Sequence, residues 1–366
     1  MQSTDKKVCL VSISLAKGGA ERACAMQSEY LSALGYQVHI VILNDAIDYP
    51  YQGELLNLGE RKNGQDRLLK RLARMRALRR YLHEHRFDWI IDHRSRGQFS
   101  REQFYSRYVY RGFKTIYLTH SSNAQQYVTE RPRAFARLCG DSALQVAVSE
   151  GIRLKVLVQN GFKNTHTIYN AYDPAWGSTV TDLPATLAGK RYVLAYGRMV
   201  EKIKDFSFLI DAYSQSELPE RAIALVIMGD GPDREIVEAH AKASKVADSI
   251  LLLPFQNEPF SIIKAAQAVT LTSHYEGFPM VLVEALSLGV PVVALDIETG
   301  PSEIVQHGQN GLLIAQRSIP LFAEGLNQLF EGEEFYHRLK QHAQSSVSGF
   351  SKDKIAAQWH QLLTDE

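Results

Sequence analysis

The chain has 366 residues, with 41 Lys and Arg against 40 Asp and Glu, a formal net charge of +1, and 45% hydrophobic residues. That length suits two domains of about 150 residues, each with a full core, and no apolar run approaches the ~18 residues of a membrane span. The composition excludes a disordered chain, and the three cysteines, Cys9, Cys24 and Cys139, lack metal-ligand spacing and read as buried thiols of a protein in the reducing cytoplasm.

Net charge near zero conceals a division. Residues 1–170 hold 26 Lys and Arg against 15 Asp and Glu, about +11, and the other 196 hold 15 against 25, about −10. An anionic partner therefore belongs with the first half.

Val8 to Ala16 follows Lys6 and Lys7 as a leader's apolar core would. It lacks a small-residue cleavage pattern, however, and runs into Gly18-Gly19, so Lys7 to Leu15 reads as a first strand. The glycines open a helix that runs to about Leu34 and stops at Gly35; they permit a tight turn and close approach of a ligand, or serve the turn alone. Val38 to Leu43 and Leu55 to Leu58 read as the next strands.

From Asn63 to Arg86, Leu68, Leu72, Met75 and Leu82, flanked by Leu69 and Leu78, recur at helical spacing. Arg67, Lys70, Arg71, Arg74, Arg76, Arg79, Arg80 and Arg86 fill the remaining positions. Two readings stay open: a surface helix packed by its leucines, or a basic face held against an anionic membrane. Nucleic acid finds no support, because no aromatics interleave the basic residues.

Trp89 to Asp92 and Thr115 to Thr119 are predicted strands, with Arg94, Arg96, Arg101, Arg107 and Arg111 between them expected to extend the basic surface. His120 follows the second strand at its carboxyl end, where open α/β sheets place ligands. Leu144 to Val148 is a further strand, and Pro174, Gly177, Pro184 and Gly189 set a boundary near residues 174–190.

The second half alternates more clearly. Tyr192 to Ala195, Ala224 to Met228, Ile250 to Leu253, Ala268 to Thr272 and Pro291 to Leu295 are predicted strands with helices between them, a doubly wound α/β sheet. Gly197 and Arg198 end the first of these, with Lys202 and Lys204 ahead of the next helix. Within Ser273 to Gly289, a helix opening near Pro279 leaves the N–H groups of Met280 and Val281 free to face an anion. Glu276 precedes that helix and Glu284 lies more than a turn inside it, so the two acids flank the anion site and need not touch. Lys354 to Leu363, with Trp359, is a terminal amphipathic helix.

The run Glu276, Gly277, Phe278, Pro279, Glu284, Ala285, Gly289, Pro291, Val292 resembles the signature E-G-F-P-x-x-x-x-E-A-x-x-x-G-x-P-V of glycosyltransferase family 4, retaining enzymes of GT-B fold, here of the bacterial surface-polysaccharide type. Gly18-Gly19-Ala20-Glu21-Arg22 is similar to the family's G-G-A-E-R segment. Gly197-Arg198 is similar to its G-R-x-x-x-x-K segment; the spacing here departs by one residue, so alignment on Phe208 to Tyr213 selects Lys204 and leaves Lys202 as the alternative. Asn170 and Asp173, Met228 to Pro232, Thr299 to Ile304 and Asn310 to Leu313 continue the resemblance.

The resemblance implies two facing Rossmann-like domains. Residues 1–175 would bind the acceptor, residues 176–350 the nucleotide sugar, and the helix within 351–366 would return to the first domain. It assigns Arg198, Lys204, Glu276 and His120 to catalysis. Gly18, Gly19, Gly277, Phe278, Met280, Val281 and Glu284 join them around the donor, with Phe255 and Gln256 at the nucleobase. The implied co-substrate is a nucleotide sugar, UDP-linked by family weight, and the acceptor a glycan or a lipid-linked glycan intermediate. No D-x-D occurs, so no metal cofactor is expected. A sugar-nucleotide epimerase and a non-catalytic scaffold are the competing classes.

Overall fold

The structure is a computed structural model and describes residues 6–60, 68–178 and 182–365. It forms two compact units: one runs to Ala171 and resumes at Lys352, and the other is Tyr172–Ser351.

In the first unit, β1 (Lys7–Ser12), β2 (Gln37–Ile42), β3 (Glu54–Asn57), β4 (Trp89–Asp92), β5 (Lys114–Thr119), β6 (Leu144–Ala147) and β7 (Thr165–Thr167) form one sheet in the order β3-β2-β1-β4-β5-β6-β7. In the second, β8 (Arg191–Tyr196), β9 (Ile223–Met228), β10 (Ile250–Leu253), β11 (Ala268–Leu271), β12 (Val292–Leu295) and β13 (Gly311–Ile314) take the order β10-β9-β8-β11-β12-β13. The strands of both sheets pair in parallel. Strand order reverses at β1/β4 in one unit and β8/β11 in the other, and ligands of such sheets bind beyond the carboxyl ends at these points.

Continuous apolar runs such as VVAL in β12 are buried throughout, as parallel strands covered on both faces must be. The first core gathers Leu10, Ile40 and Ile91 with Ile355, Trp359 and Leu363 of the terminal helix Lys352–Asp365. That helix is fixed further where the Trp89 indole and the Lys6 ammonium both donate to the Leu363 carbonyl, at 3.3 and 2.8 Å. The second core joins Leu225, Ile227 and Val293 to Phe322 and Leu326.

Local stops obey the glycine rules. Helix α1 (Gly19–Ala33) ends on Gly35, at φ +90°, with Tyr36 N–H returning to the Leu31 carbonyl at 3.1 Å.

The basic surface differs from expectation. Residues 61–67, Arg67 included, lie outside the described residues, as do the side chains of residues 68–70. In helix α2 (Leu68–His85), Leu78 and Leu82 are buried and Leu72 is exposed; Arg71, Arg76 and Arg80 are also exposed, whereas Arg74 is buried. Arg94 and Arg96 are buried too and do not belong to the surface. Arg94 pairs with buried Asp92 at 2.6 Å and buried Glu102 at 3.0 Å, its guanidinium 3.6 Å from the Tyr105 ring centroid. Arg96 donates to the backbone carbonyls of Asp92, Arg94, Leu118 and Tyr127. A buried guanidinium needs such partners; Arg101, Arg107 and Arg111 remain exposed.

Candidate functional site

The switch point of the second unit brings most of the predicted residues into one loop cluster. Beyond β8, Gly197 and Arg198 turn into a short helical turn, Glu201–Lys204, and then into helix α3 (Phe206–Gln215). Arg198 and Lys202 are exposed. The Lys204 ammonium lies 2.5 Å from Oε1 of Glu276, in the loop after β11, and Ser273 Oγ donates to the same oxygen at 2.7 Å.

The G-x-G-P turn supports this loop. A Cβ at Gly229 would stand 2.0 Å from the Gly197 carbonyl oxygen, and one at Gly231 would stand 2.2 Å from that of Met199, so only glycine lets the two loops approach. Met199 N–H closes the contact on the Asp230 carbonyl at 2.9 Å.

Helix α4 (Met280–Ser287) begins one residue later than the sequence implies, with Pro279 at its N-cap. Proline at that position costs no hydrogen bond and leaves the N–H groups of Met280 and Val281 at the positive end of the helix. The helix stops at Gly289, φ +76°, where Val290 N–H reaches the Ala285 carbonyl at 2.9 Å and Gly289 N–H the Leu286 carbonyl at 3.0 Å. Glu284 is buried, 2% exposed, and accepts a hydrogen bond from Tyr196 Oη at 2.7 Å. The two acids therefore have different partners.

Gly277 and Phe278 are buried, and the Phe278 ring packs edge-on against Phe350, so Phe278 has its backbone to offer a ligand. Gly300, at φ +98°, would place a Cβ 2.6 Å from Pro279 Cδ, and Thr299 Oγ1 donates to the Glu276 carbonyl at 2.6 Å. Phe255 is exposed with its N–H held by Asp230 at 3.0 Å; Gln256 beside it is half-buried.

Sequence reading missed the bracket that joins the two loops. Asp205, in the left-handed region at φ +53°, caps α3 and receives Arg317 Nη1 at 2.7 Å and His274 Nε2 at 3.0 Å. Arg317 Nη2 also donates to the carbonyls of Thr272 and Ser273, at 2.9 and 2.6 Å. Thr272 Oγ1 returns to the Lys204 and Asp205 carbonyls at 3.2 and 3.1 Å, and His274 N–H to that of Ile203 at 2.7 Å. Arg317 thus fixes the residues next to both Lys204 and Glu276, from 112 positions beyond Asp205.

In the first unit, Gly18 is the N-cap of α1 in an extended conformation, and a Cβ at Gly19 would meet nothing within 4 Å. His120, at the end of β5, contacts His93, which follows β4 at the switch point: His93 Nδ1 lies 3.1 Å from His120 Nε2, and His93 Nε2 lies 2.7 Å from Gln27 Oε1. Burial, reinforced by the Arg96 charge, pushes the His93 pKa down to about 3. Burial, then His93 and Arg96, carry His120 well below the usual histidine range. Neither His93 nor Gln27 stands in any motif of the sequence. A small pocket beside them is lined by Gln27, Tyr30, His93, Asn170 and Trp359.

Among the described residues, His39, Glu54 and His85 are one cluster with metal-ligating atoms within 4.8 Å of one another. Tetrahedral zinc needs ligand atoms about 3.4 Å apart, and His39 Nδ1 already has Tyr81 Oη at 2.7 Å.

Comparison with known proteins agrees with this arrangement. Residues 17–176 match the model for Glycosyltransferase Family 4, and residues 184–346 that for Glycosyl transferases group 1. The chain is 26% identical over 365 residues to the N-acetylgalactosamine-N,N'-diacetylbacillosaminyl-diphospho-undecaprenol 4-alpha-N-acetylgalactosaminyltransferase of Campylobacter jejuni, covering 96% of this chain and 97% of that one. It is 29% identical over 256 residues to the lipopolysaccharide 1,6-galactosyltransferase of Escherichia coli K12, covering 67% and 65%. The chain spans less than two thirds of several other curated relatives, down to 19% of one. In fold it is similar to Anabaena HepE, crystallised with UDP and glucose, at a TM-score of 0.80 and 19% identity over 99% of this chain and 100% of that one. Two parallel Rossmann-like units, the E-x7-E loop and helix, and both family matches together establish that the chain belongs to glycosyltransferase family 4, with the GT-B fold.

Proposed function

We propose that this protein is a retaining glycosyltransferase that moves a hexose or N-acetylhexosamine from a UDP-linked donor to a glycan or lipid-linked acceptor in bacterial surface-polysaccharide synthesis. The observation that carries the reading is the Lys204–Glu276 contact beside the open amino end of α4, at the switch point of the second unit.

Departure of the nucleoside diphosphate builds negative charge on its β-phosphate. Arg198, Lys204 and the N–H groups of Met280 and Val281 would stabilise that charge, preorganised donors of the kind whose loss costs about 10²–10³ in turnover. Glu284, oriented by Tyr196, would accept from the ribose hydroxyls. Glu276, oriented by Lys204 and Ser273, would accept from hydroxyls of the donor sugar. The acceptor hydroxyl would attack from the face the diphosphate leaves, passing its proton to the departing phosphate oxygen, which makes the outcome retention.

The UDP preference and the lipid-linked acceptor draw on the relatives: HepE was crystallised with UDP and glucose, and the Campylobacter protein's name gives a diphospho-undecaprenol acceptor. No helix among the described residues is long and apolar enough to cross a membrane. The exposed Arg71, Arg76, Arg80, Arg107 and Arg111, with exposed Leu72 and Tyr108, favour peripheral attachment to anionic lipid.

The test is release of nucleoside diphosphate from a panel of sugar nucleotides, with and without polyprenyl-diphosphate glycans. Acceptor-dependent release supports transfer. Conversion of the sugar nucleotide alone would mark an epimerase, and binding without turnover on any acceptor a scaffold.

A further inference from the structure

Three side chains of the first unit form a linear polar chain. Gln27, buried inside α1, has Oε1 2.7 Å from His93 Nε2; His93, also buried, has Nδ1 3.1 Å from His120 Nε2, with the two rings stacked at 5.2 Å. A neutral imidazole carries one N–H and one lone pair, so each link fixes the next. With the Gln27 amide oxygen facing the ring, which leaves the amide nitrogen of Gln27 buried without a partner among the described residues, the oxygen only accepts and His93 donates from Nε2. Its Nδ1 is then a lone pair, and His120 must donate to it from Nε2. What remains is His120 Nδ1, an unprotonated acceptor, shielded from solvent and without a hydrogen-bond partner among the described residues.

The surroundings keep both rings neutral. Burial and the Arg96 charge depress His93, and burial, His93 and Arg96 depress His120. Arg96 itself hydrogen-bonds only to carbonyls among the described residues. A buried lone pair with no donor is unfavourable in the free protein and favours any ligand that brings an O–H to it. The atom lies beyond the carboxyl end of β5, one strand from the β1/β4 switch point.

We infer that Gln27 and His93 are positioning residues that lock His120 in its Nε2-protonated tautomer, so that Nδ1 accepts a hydrogen bond from a hydroxyl of a sugar bound at the first unit. The identity of the hydroxyl rests on the glycosyltransferase reading; the tautomer does not.

The test is the nitrogen-15 spectrum of the imidazoles in the full-length protein. At pH 7 the inference requires His120 to show an unprotonated Nδ1 and a protonated Nε2. Gln27→Glu, which still presents an accepting oxygen, keeps that pattern, and Gln27→Met lets the tautomers mix. A protonated Nδ1 in the wild type means that the amide and the whole chain run the other way, and overturns the inference. So does a Gln27→Met spectrum identical to that of the wild type. UDP-glucose, at a concentration that saturates binding as read by thermal shift, should then move the Nδ1 resonance, and UDP alone should not. Saturation without a shift removes the hydroxyl contact. If no sugar nucleotide binds at all, the functional reading fails while the tautomer result stands. In turnover, Gln27→Met should raise KM for the sugar nucleotide ~10-fold, the loss of about one hydrogen bond, with UDP affinity unchanged and Gln27→Glu within ~2-fold of wild type.

Discussion

The ammonium of Lys204 and the carboxylate of Glu276 meet at 2.5 Å, with side chains only 18% and 14% exposed, although the residues are 72 positions apart. Oε1 of Glu276 takes both Lys204 and Ser273, while Oε2 has no partner among the described residues. One acid oxygen therefore holds the loop, and the other is left for the sugar hydroxyl that the proposed function requires. Lys204→Met should lower turnover by about 10²–10³ and weaken UDP binding. Glu276→Gln should raise KM for the sugar nucleotide and leave UDP binding intact. Steady-state kinetics alongside UDP calorimetry separates the two; equal loss of UDP affinity in both variants would refute the division of roles.

Arg317 bonds to neither Lys204 nor Glu276 and still ties together the loops that carry them. Arg317→Met leaves the Thr272 and Ser273 carbonyls without their donor and Asp205 with His274 and the Phe208 N–H, at a cost of about 2 kcal/mol for charge-assisted bonds. The expected result is a lower melting temperature together with a fall in kcat/KM of at least about tenfold. A variant that melts early but turns over normally at low temperature would make the bracket purely structural.

The buried Asp92–Arg94–Glu102 cluster carries its own test. Arg94→Met leaves buried Glu102 with Arg101 alone and buried Asp92 with only Tyr110 and a backbone N–H, and should cost about 3–5 kcal/mol in urea unfolding. A loss below about 1 kcal/mol would show that water reaches the cluster.

Acid should destabilise the first unit through His93. Its folded pKa, depressed to about 3, lies below the unfolded value near 6.5, so the unfolded chain binds the proton first. The stability is complete above the unfolded pKa and is lost as pH falls toward 3. Between pH 7 and pH 5 the loss is about 2 kcal/mol for this one group. His93→Gln should unfold with a correspondingly shallower dependence on pH over that interval, measured as the difference in urea midpoints.

Glycine tests separate architecture from ligand approach. Gly231→Ala drives a Cβ to 2.2 Å from a backbone oxygen and should destabilise the second unit and displace Arg198. Gly19→Ala meets nothing within 4 Å and should leave stability unchanged. Any loss of activity in Gly19→Ala then reports a ligand close to that backbone.

Sheets and stops were legible because they depend on local signals. Runs such as ILLL and VVAL become strands of a two-sided parallel sheet, and Gly35 and Gly289 end their helices in left-handed conformations no other residue adopts as cheaply. The positions of Arg198, Lys204 and Glu276 in the loops beyond β8 and β11, and of Glu284 inside α4, were legible because the strand runs and Pro279 mark where those elements end and begin. Arg94 and Arg96 were misread as surface charge because arginine is seldom buried. Their partners are carboxylates two residues before and eight residues after Arg94, and carbonyls that no sequence pattern marks. Arg317 and the Gln27–His93–His120 chain were invisible for the same reason: the folded sheet alone brings them together.

The central claim is that the second unit binds a nucleoside diphosphate at the loop before α4. Thermal shift with UDP, GDP, ADP and the common UDP-sugars, on the wild type and on Glu284→Ala, tests it most directly. A ligand at 100 times its dissociation constant should stabilise the protein by about 2.7 kcal/mol. The account predicts that UDP and one UDP-sugar raise the wild-type melting temperature and that the Glu284→Ala variant loses the rise. No shift by any nucleotide at millimolar concentration, or an undiminished shift in the variant, would contradict it.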